Sequence, residues 1–113
     1  MAKEISDFDG WLQTVQATTE SLGLIDSLNV VAWLMSDKFG VRVWFVEILG
    51  RRWSYLAGKM PEQCPESAIE RIELEKHIGL ASDSWGKLSV DNQTKLVEFL
   101  NMLISERLVA SEL

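Results

Sequence analysis

The residues best equipped for chemistry are few and scattered. There is one cysteine, Cys64, and one histidine, His77, with Glu73, Glu75 and Asp83 near the histidine in sequence. A lone cysteine cannot form an internal disulfide, and a thiol becomes reactive only in an electropositive setting or beside a base such as His77. Cys64 therefore reads as a free thiol. A zinc site built on one histidine would need carboxylates from several elements, and haem ligation would rest on His77 alone. Beside so many acidic residues, His77 reads as a solvated surface group. Glu73 and Glu75 would point the same way along a strand, but no cleft is indicated for a glycosidase-like pair. A site assembled from Glu73, His77 and Asp83 is the one enzymatic arrangement the chain offers. The sequence contains no glycine-rich phosphate loop, no HExxH and no paired CxxC. The reading is therefore non-enzymatic, without cofactor or metal.

The elements that would position any site centre on Phe39 to Ala57, FGVRVWFVEILGRRWSYLA, whose β-branched and aromatic content marks a β-hairpin. Alternation puts Val41, Val43 and Phe45 on one face of the first strand, and Arg42, Trp44, Val46 and Ile48 on the other. Leu49-Gly50-Arg51 supplies the turn. The return strand then carries Arg51, Trp53, Tyr55 and Ala57 on one side, with Arg52, Ser54 and Leu56 on the other. A sheet with one wet face alternates apolar and polar residues. Here both faces are apolar, so one packs on helices and the second covers a ligand pocket, a twin subunit or further helices.

Before the hairpin, the spacing predicts a helix over about 7–22, capped by Ser6 or Asp7 and stopped by Gly23, with Phe8, Trp11, Leu12, Val15 and Leu22 on its stripe. A second helix over 27–39, capped by Asp26 or Ser27, carries Leu28, Val31, Leu34, Met35 and Phe39. Trp33 and Val30 fall off that stripe, which predicts burial on more than one side. The hairpin strands are placed at 41–48 and 51–57. Gly58 to Pro65, GKMPEQCP, reads as a loop that could lie over one sheet face. Residues 66–76 have a helical composition, but Ile72, Leu74, Ile78 and Leu80 share even parity, so a strand at 69–75 is chosen. Gly79 is read as a turn or bulge before another strand at 79–84. Ser89 caps a closing helix over 89–110, with Leu96, Phe99, Leu100, Leu103, Ile104 and Leu108 on one stripe.

At 113 residues, 47% hydrophobic and 25% charged, the chain is one domain with a real core. No apolar run reaches the roughly 20 residues of a membrane span, and MAKEISDFDG lacks the shape of a secretory signal. The reading is cytoplasmic, with no membrane partner. The net charge of −6 is unevenly spread: residues 41–60 hold Arg42, Arg51, Arg52 and Lys59 against Glu47 alone. Overall acidity argues against nucleic acid. The basic hairpin either meets an anionic ligand or partner, or guards strand edges.

Residues 27 to 108 resemble a short GAF-type sensory domain. The likeness rests on Lys38-Phe39-Gly40 closing the incoming helix, the strand VRVWFVEI, the turn LGRR and the strand WSYLAG. It continues through RIELEKHIGLASDSW and GKLS to the long helix from Val90. PAS-type domains share this pattern. The resemblance implies an α+β fold: an antiparallel sheet with N- and C-terminal helices on one face, and a second face covered by loops where a ligand can bind. It also implies a regulatory module that dimerises through its helices and signals through a protein partner. No Asn-Lys-Phe-Asp-Glu motif of cyclic-nucleotide binders is present, Cys64 has no bilin-attachment context, and the central region is short. Trp44, Trp53, Tyr55, Met60 and Cys64 are the candidate ligand-binding residues. The rival reading is a small acidic adaptor or chaperone that binds a polypeptide, by strand addition at the hairpin.

Overall fold

The computed structural model describes residues 2–60 and 69–112, with side chains over 8–60 and 69–107. The elements run α1 (Ala2–Thr19), α2 (Leu24–Phe39), β1 (Val43–Leu49), β2 (Arg52–Gly58), β3 (Glu70–Glu73), β4 (Ile78–Ser82) and α3 (Val90–Glu112), with 3-10 turns at Glu75–His77 and Trp85–Lys87. The strands form one antiparallel sheet in the order β2-β1-β4-β3. The fold is α+β, as expected.

α2 stops where the sequence says it should. Gly40 takes a left-handed conformation (φ 66°, ψ 22°) and its N–H donates back to Ser36 and Met35 carbonyls, the usual glycine-terminated helix end. Its start differs from expectation: the helix begins at Leu24, Gly23 is the N-cap residue, and Asp26 lies within the first turn. Ser27 is fully buried and caps nothing. α1 likewise begins several residues before Ser6, because nothing in AKEIS resists helix. It ends at Thr19 rather than Leu22. The Thr19 hydroxyl donates to the Val15 carbonyl at 2.9 Å, a local bond that competes with helix continuation. In α3, Ser89 does cap: its Oγ accepts from the Asn92 N–H at 3.2 Å.

All three helices cover one sheet face. Phe8, Trp11 and Val15 of α1, Leu28, Val31 and Met35 of α2, and Leu96, Leu100, Leu103 and Ile104 of α3 close on Val43, Phe45, Ala57, Ile78 and Leu80. Trp11 meets Phe39 edge-on at 5.1 Å between ring centroids, tying α1 to the end of α2. α2 is buried on one side only. Trp33 is 57% exposed, contrary to the expectation for that helix.

The hairpin turns tightly, Leu49 facing Arg52 across Gly50-Arg51, with Gly50 at φ 64°. Its second strand departs from simple alternation. Phe45 faces Ala57 but Val46 faces Tyr55, so Leu56 is an extra residue in β2. This β-bulge puts Leu56 and Ala57 together on the helical side. Ala57 therefore does not share a face with Trp53 and Tyr55, as strict parity had required. Immediately after it, Gly58 has φ 97°, and a Cβ there would lie 2.8 Å from Trp44 Cα and 2.9 Å from the Val43 oxygen. Only glycine fits so close to a neighbouring backbone. The Gly58 N–H is held by Asn29 Oδ1 at 2.8 Å, pinning β2 to α2.

The even-parity apolar series falls on or between the paired strands β3 and β4, Glu70–Glu73 and Ile78–Ser82, against the expected 69–75 and 79–84. β3 is short, pairing Ile72 with Leu80 and Glu73 with Gly79. The turn lies at Glu75–His77, not at Gly79, which sits inside β4. Lys76 and His77 are both left-handed, at φ 56° and 61°. Among the described residues no helix is long and apolar enough to cross a membrane.

Candidate functional site

The sheet face away from the helices carries a second, smaller apolar cluster: Trp44, Val46 and Ala81, with Ile48, Trp53 and Ile69 around them. Its form follows from side-chain size along β4. Ile78, Leu80 and Ser82 turn toward the helices, which leaves Gly79 and Ala81 to line the outer face. The middle of the sheet is therefore low. Trp44 and Val46 of β1 border it on one side, and Arg71 of β3, which pairs with Ala81, borders it on the other.

Trp53 reaches across this trough. It is paired with Ile48 on β1, yet its indole extends over Val46 to β4. A Cβ built on Gly79 would lie 2.8 Å from Trp53 Cζ3 and 3.0 Å from Cη2. Arg71 Cζ stands 5.9 Å from the Trp53 ring centroid, within the range of a cation–π contact. All four strands thus contribute to one constellation.

The result is a hollow of about 610 Å³ lined by Trp44, Val46, Arg51, Trp53, Tyr55, Met60, Ile69, Arg71 and Ala81. A second hollow of about 660 Å³ adjoins it through Tyr55 and Met60, and adds Ser36, Arg42, Gly58 and Lys59. The Tyr55 ring is held by its own hydroxyl, which donates to the Gly58 carbonyl at 2.7 Å. The bulge makes this possible, by turning the chain after Tyr55 while leaving Trp53 and Tyr55 outward.

Of the anticipated site residues, Trp44, Trp53, Tyr55 and Met60 all line this one hollow. Cys64 lies outside the described residues. Arg51, Arg71, Ile69, Val46 and Ala81 were not anticipated. The alternation of large and small in IGLAS was the signal for the trough, since small residues at 79 and 81 share one phase. The rival set of Glu73, His77 and Asp83 does not come together. His77 and Asp83 sit at opposite ends of β4, roughly 20 Å apart at 3.3 Å per residue. His77 is exposed in the turn, as its acidic neighbourhood indicated. Among the described residues no three His, Cys, Asp or Glu side chains gather as a metal would require.

Among the described residues neither hollow has a carboxylate in its lining. Glu73 points to the same face beside Gly79 but stands outside the lining. Arg42 is 3.9 Å from Asp83, a long and half-exposed ion pair. Such an arrangement can hold a ligand by stacking, burial and charge, and among the described residues it presents no nucleophile–base pair. Compared with family models, curated proteins and solved structures, the chain finds no match.

Proposed function

We propose that this chain is a non-enzymatic sensory or regulatory domain, GAF- or PAS-like in plan, that binds a small molecule on its outer sheet face and acts through a protein partner. The observation that carries this reading is the segregation of layers. Every described helix packs on one side of the sheet, while the other side keeps two buried aromatic and aliphatic residues, Trp44 and Val46, at the floor of a hollow sized for a small ligand. A homodimer belongs to the same proposal. Trp33 and Ile25, 57% and 42% exposed, stand two turns apart on α2 and offer the helical layer a second contact.

Thermal unfolding against a small-molecule panel tests the reading. A ligand present at 100 times its Kd adds about 2.7 kcal/mol to stability. The expected result is a hit whose effect is reduced in Tyr55→Ala, a half-exposed position, with the fold of the variant checked by circular dichroism. A panel without effect, together with a co-purifying polypeptide, would replace this reading with the adaptor. The observation that favours the adaptor is the place of β2 at the sheet edge, with no described strand on its outer side.

A further inference from the structure

We infer that the ligand of the outer face is a flat, anionic small molecule, its conjugated body over the Trp44–Trp53–Tyr55 surface and its acidic group at Arg71 beside the Trp53 ring, with Arg51 adding positive charge from the other side of the hollow. This rests on the proposed binding role of that face and names the class of its ligand.

Charge carries the argument. The chain is acidic, at −6 overall, yet the two adjoining hollows are rimmed by Arg42, Arg51, Lys59 and Arg71, with no acidic residue among the described residues of either lining. Of these four cations only Arg42 makes an ion pair among the described residues, at 3.9 Å from Asp83. Surface cations on an acidic protein ordinarily find carboxylates nearby. Here Arg51, Lys59 and Arg71 have none at ion-pair distance among the described residues, and they line apolar aromatic surface. Guanidinium groups bind carboxylate and phosphate oxygens by paired, charge-assisted hydrogen bonds. Arg71 is already placed against the Trp53 ring, which limits the ordering it must undergo on binding. Arg51 comes from the β1–β2 turn and Arg71 from the opposite edge strand, so the two cations flank the hollow rather than forming a stripe along it. A polyanion would meet the chain's net negative field, whereas a small ligand meets only the local one. The volume of about 610 Å³ accommodates a two- or three-ring compound.

The test uses the full chain and two probes of the same shape, 2-naphthoate and 2-naphthamide, which differ in charge. Indole N–H signals are followed by NMR and assigned with Trp44→Phe and Trp53→Phe. The expected result is that naphthoate shifts the Trp44 and Trp53 signals and binds about tenfold more tightly than the amide, the worth of one charged hydrogen-bonded pair. Arg51→Gln with Arg71→Gln, both exposed positions, brings naphthoate to the level of the amide. Equal affinities, with the same two signals moving, would overturn the anionic class and leave small-molecule binding standing. Silence from both probes would overturn both. Displacement of naphthoate by a glutamate-rich peptide would give the face to a polypeptide instead. Naphthoate binding that appears only with Glu62→Gln and Glu66→Gln would make the chain's own carboxylates the anion, and would also overturn the proposal.

Discussion

A methyl group built on Gly79 would sit 2.8 Å from Trp53 Cζ3 and 3.1 Å from Val46 Cγ2, well inside the distance at which carbon atoms pack. Gly79→Ala is therefore expected to unseat the indole and to cost about 1–3 kcal/mol, read by urea unfolding followed through tryptophan emission. A change below about 0.5 kcal/mol would show that the indole has room elsewhere. The aromatic members of the site were legible in the sequence because Trp44, Trp53 and Tyr55 are large and lie on strongly patterned strands. Gly79 was read as a turn or bulge, and not as an ordinary strand residue, because glycine within a strand pattern signals either a break or a close approach. Only the pairing with Val46 decides between them. Arg71 was invisible for a different reason. Its role depends on β3 lying next to β4, a non-local fact that no window of sequence contains.

At the scale of the element, the β3–β4 turn is the least comfortable piece of backbone. Lys76 and His77 are consecutive non-glycine residues with positive φ, each costing about 1–2 kcal/mol relative to ordinary conformations. Asparagine and glycine take such positions readily. Lys76→Asn combined with His77→Gly is expected to stabilise the protein by about 1 kcal/mol, once the added freedom of glycine in the unfolded chain is counted. Equilibrium denaturation measures it, and a loss of stability would mean that the Lys76 or His77 side chain contributes more than its exposure indicates. Strand rather than helix is found at Glu70–Glu73, because the parity of Ile72, Leu74, Ile78 and Leu80 outweighs composition when one face is buried. Helix starts were read less well. Asp7, Asp26 and Ser27 are good capping types, but each sits within a helix or its first turn. A cap residue is only a preference, and tertiary packing of Phe8 and Leu28 sets where the helices run.

Across the whole molecule, the helical layer is fastened by charge as well as by its core. Lys95 of α3 reaches Asp9 of α1 at 3.2 Å and Asp91 of its own helix at 3.4 Å. The hydrogen bond to Asp9, with the nearby negative charges, holds the Lys95 ammonium above its ordinary pKa of 10.5, burial opposing only in part. A raised pKa in the folded state gives stability that is complete below 10.5 and fades as pH climbs through the folded value. Lys95→Gln is therefore expected to lower the melting temperature equally at pH 6 and pH 8, and the gap from the parent chain should narrow in strongly alkaline solution. A gap that changes between pH 6 and pH 8 would point to another titrating group. The same layer supports a second prediction. Trp33→Ser is expected to shift the protein toward monomer in light scattering after gel filtration, with the fold retained, because Trp33 touches little of its own chain. An unchanged mass would move the subunit contact away from α2. The α+β plan was legible because hydrophobic periodicity is local. The outer face, which no described helix covers, was legible only as a puzzle, two apolar sides with helices for one.

The extra residue in β2 has a consequence for how this chain tolerates change. Before Leu56 the strand obeys one phase, and after Ala57 it obeys the opposite one. Excising Leu56 would make the strand regular and more ordinary to look at. It would leave Ala57 opposite Phe45 in the interior and Gly58 opposite Trp44, and would cost the helical layer only the Leu56 side chain. A one-codon deletion of Leu56 should therefore cost little more than Leu56→Ala, because the pairs on either side of the extra residue are already in step along β1.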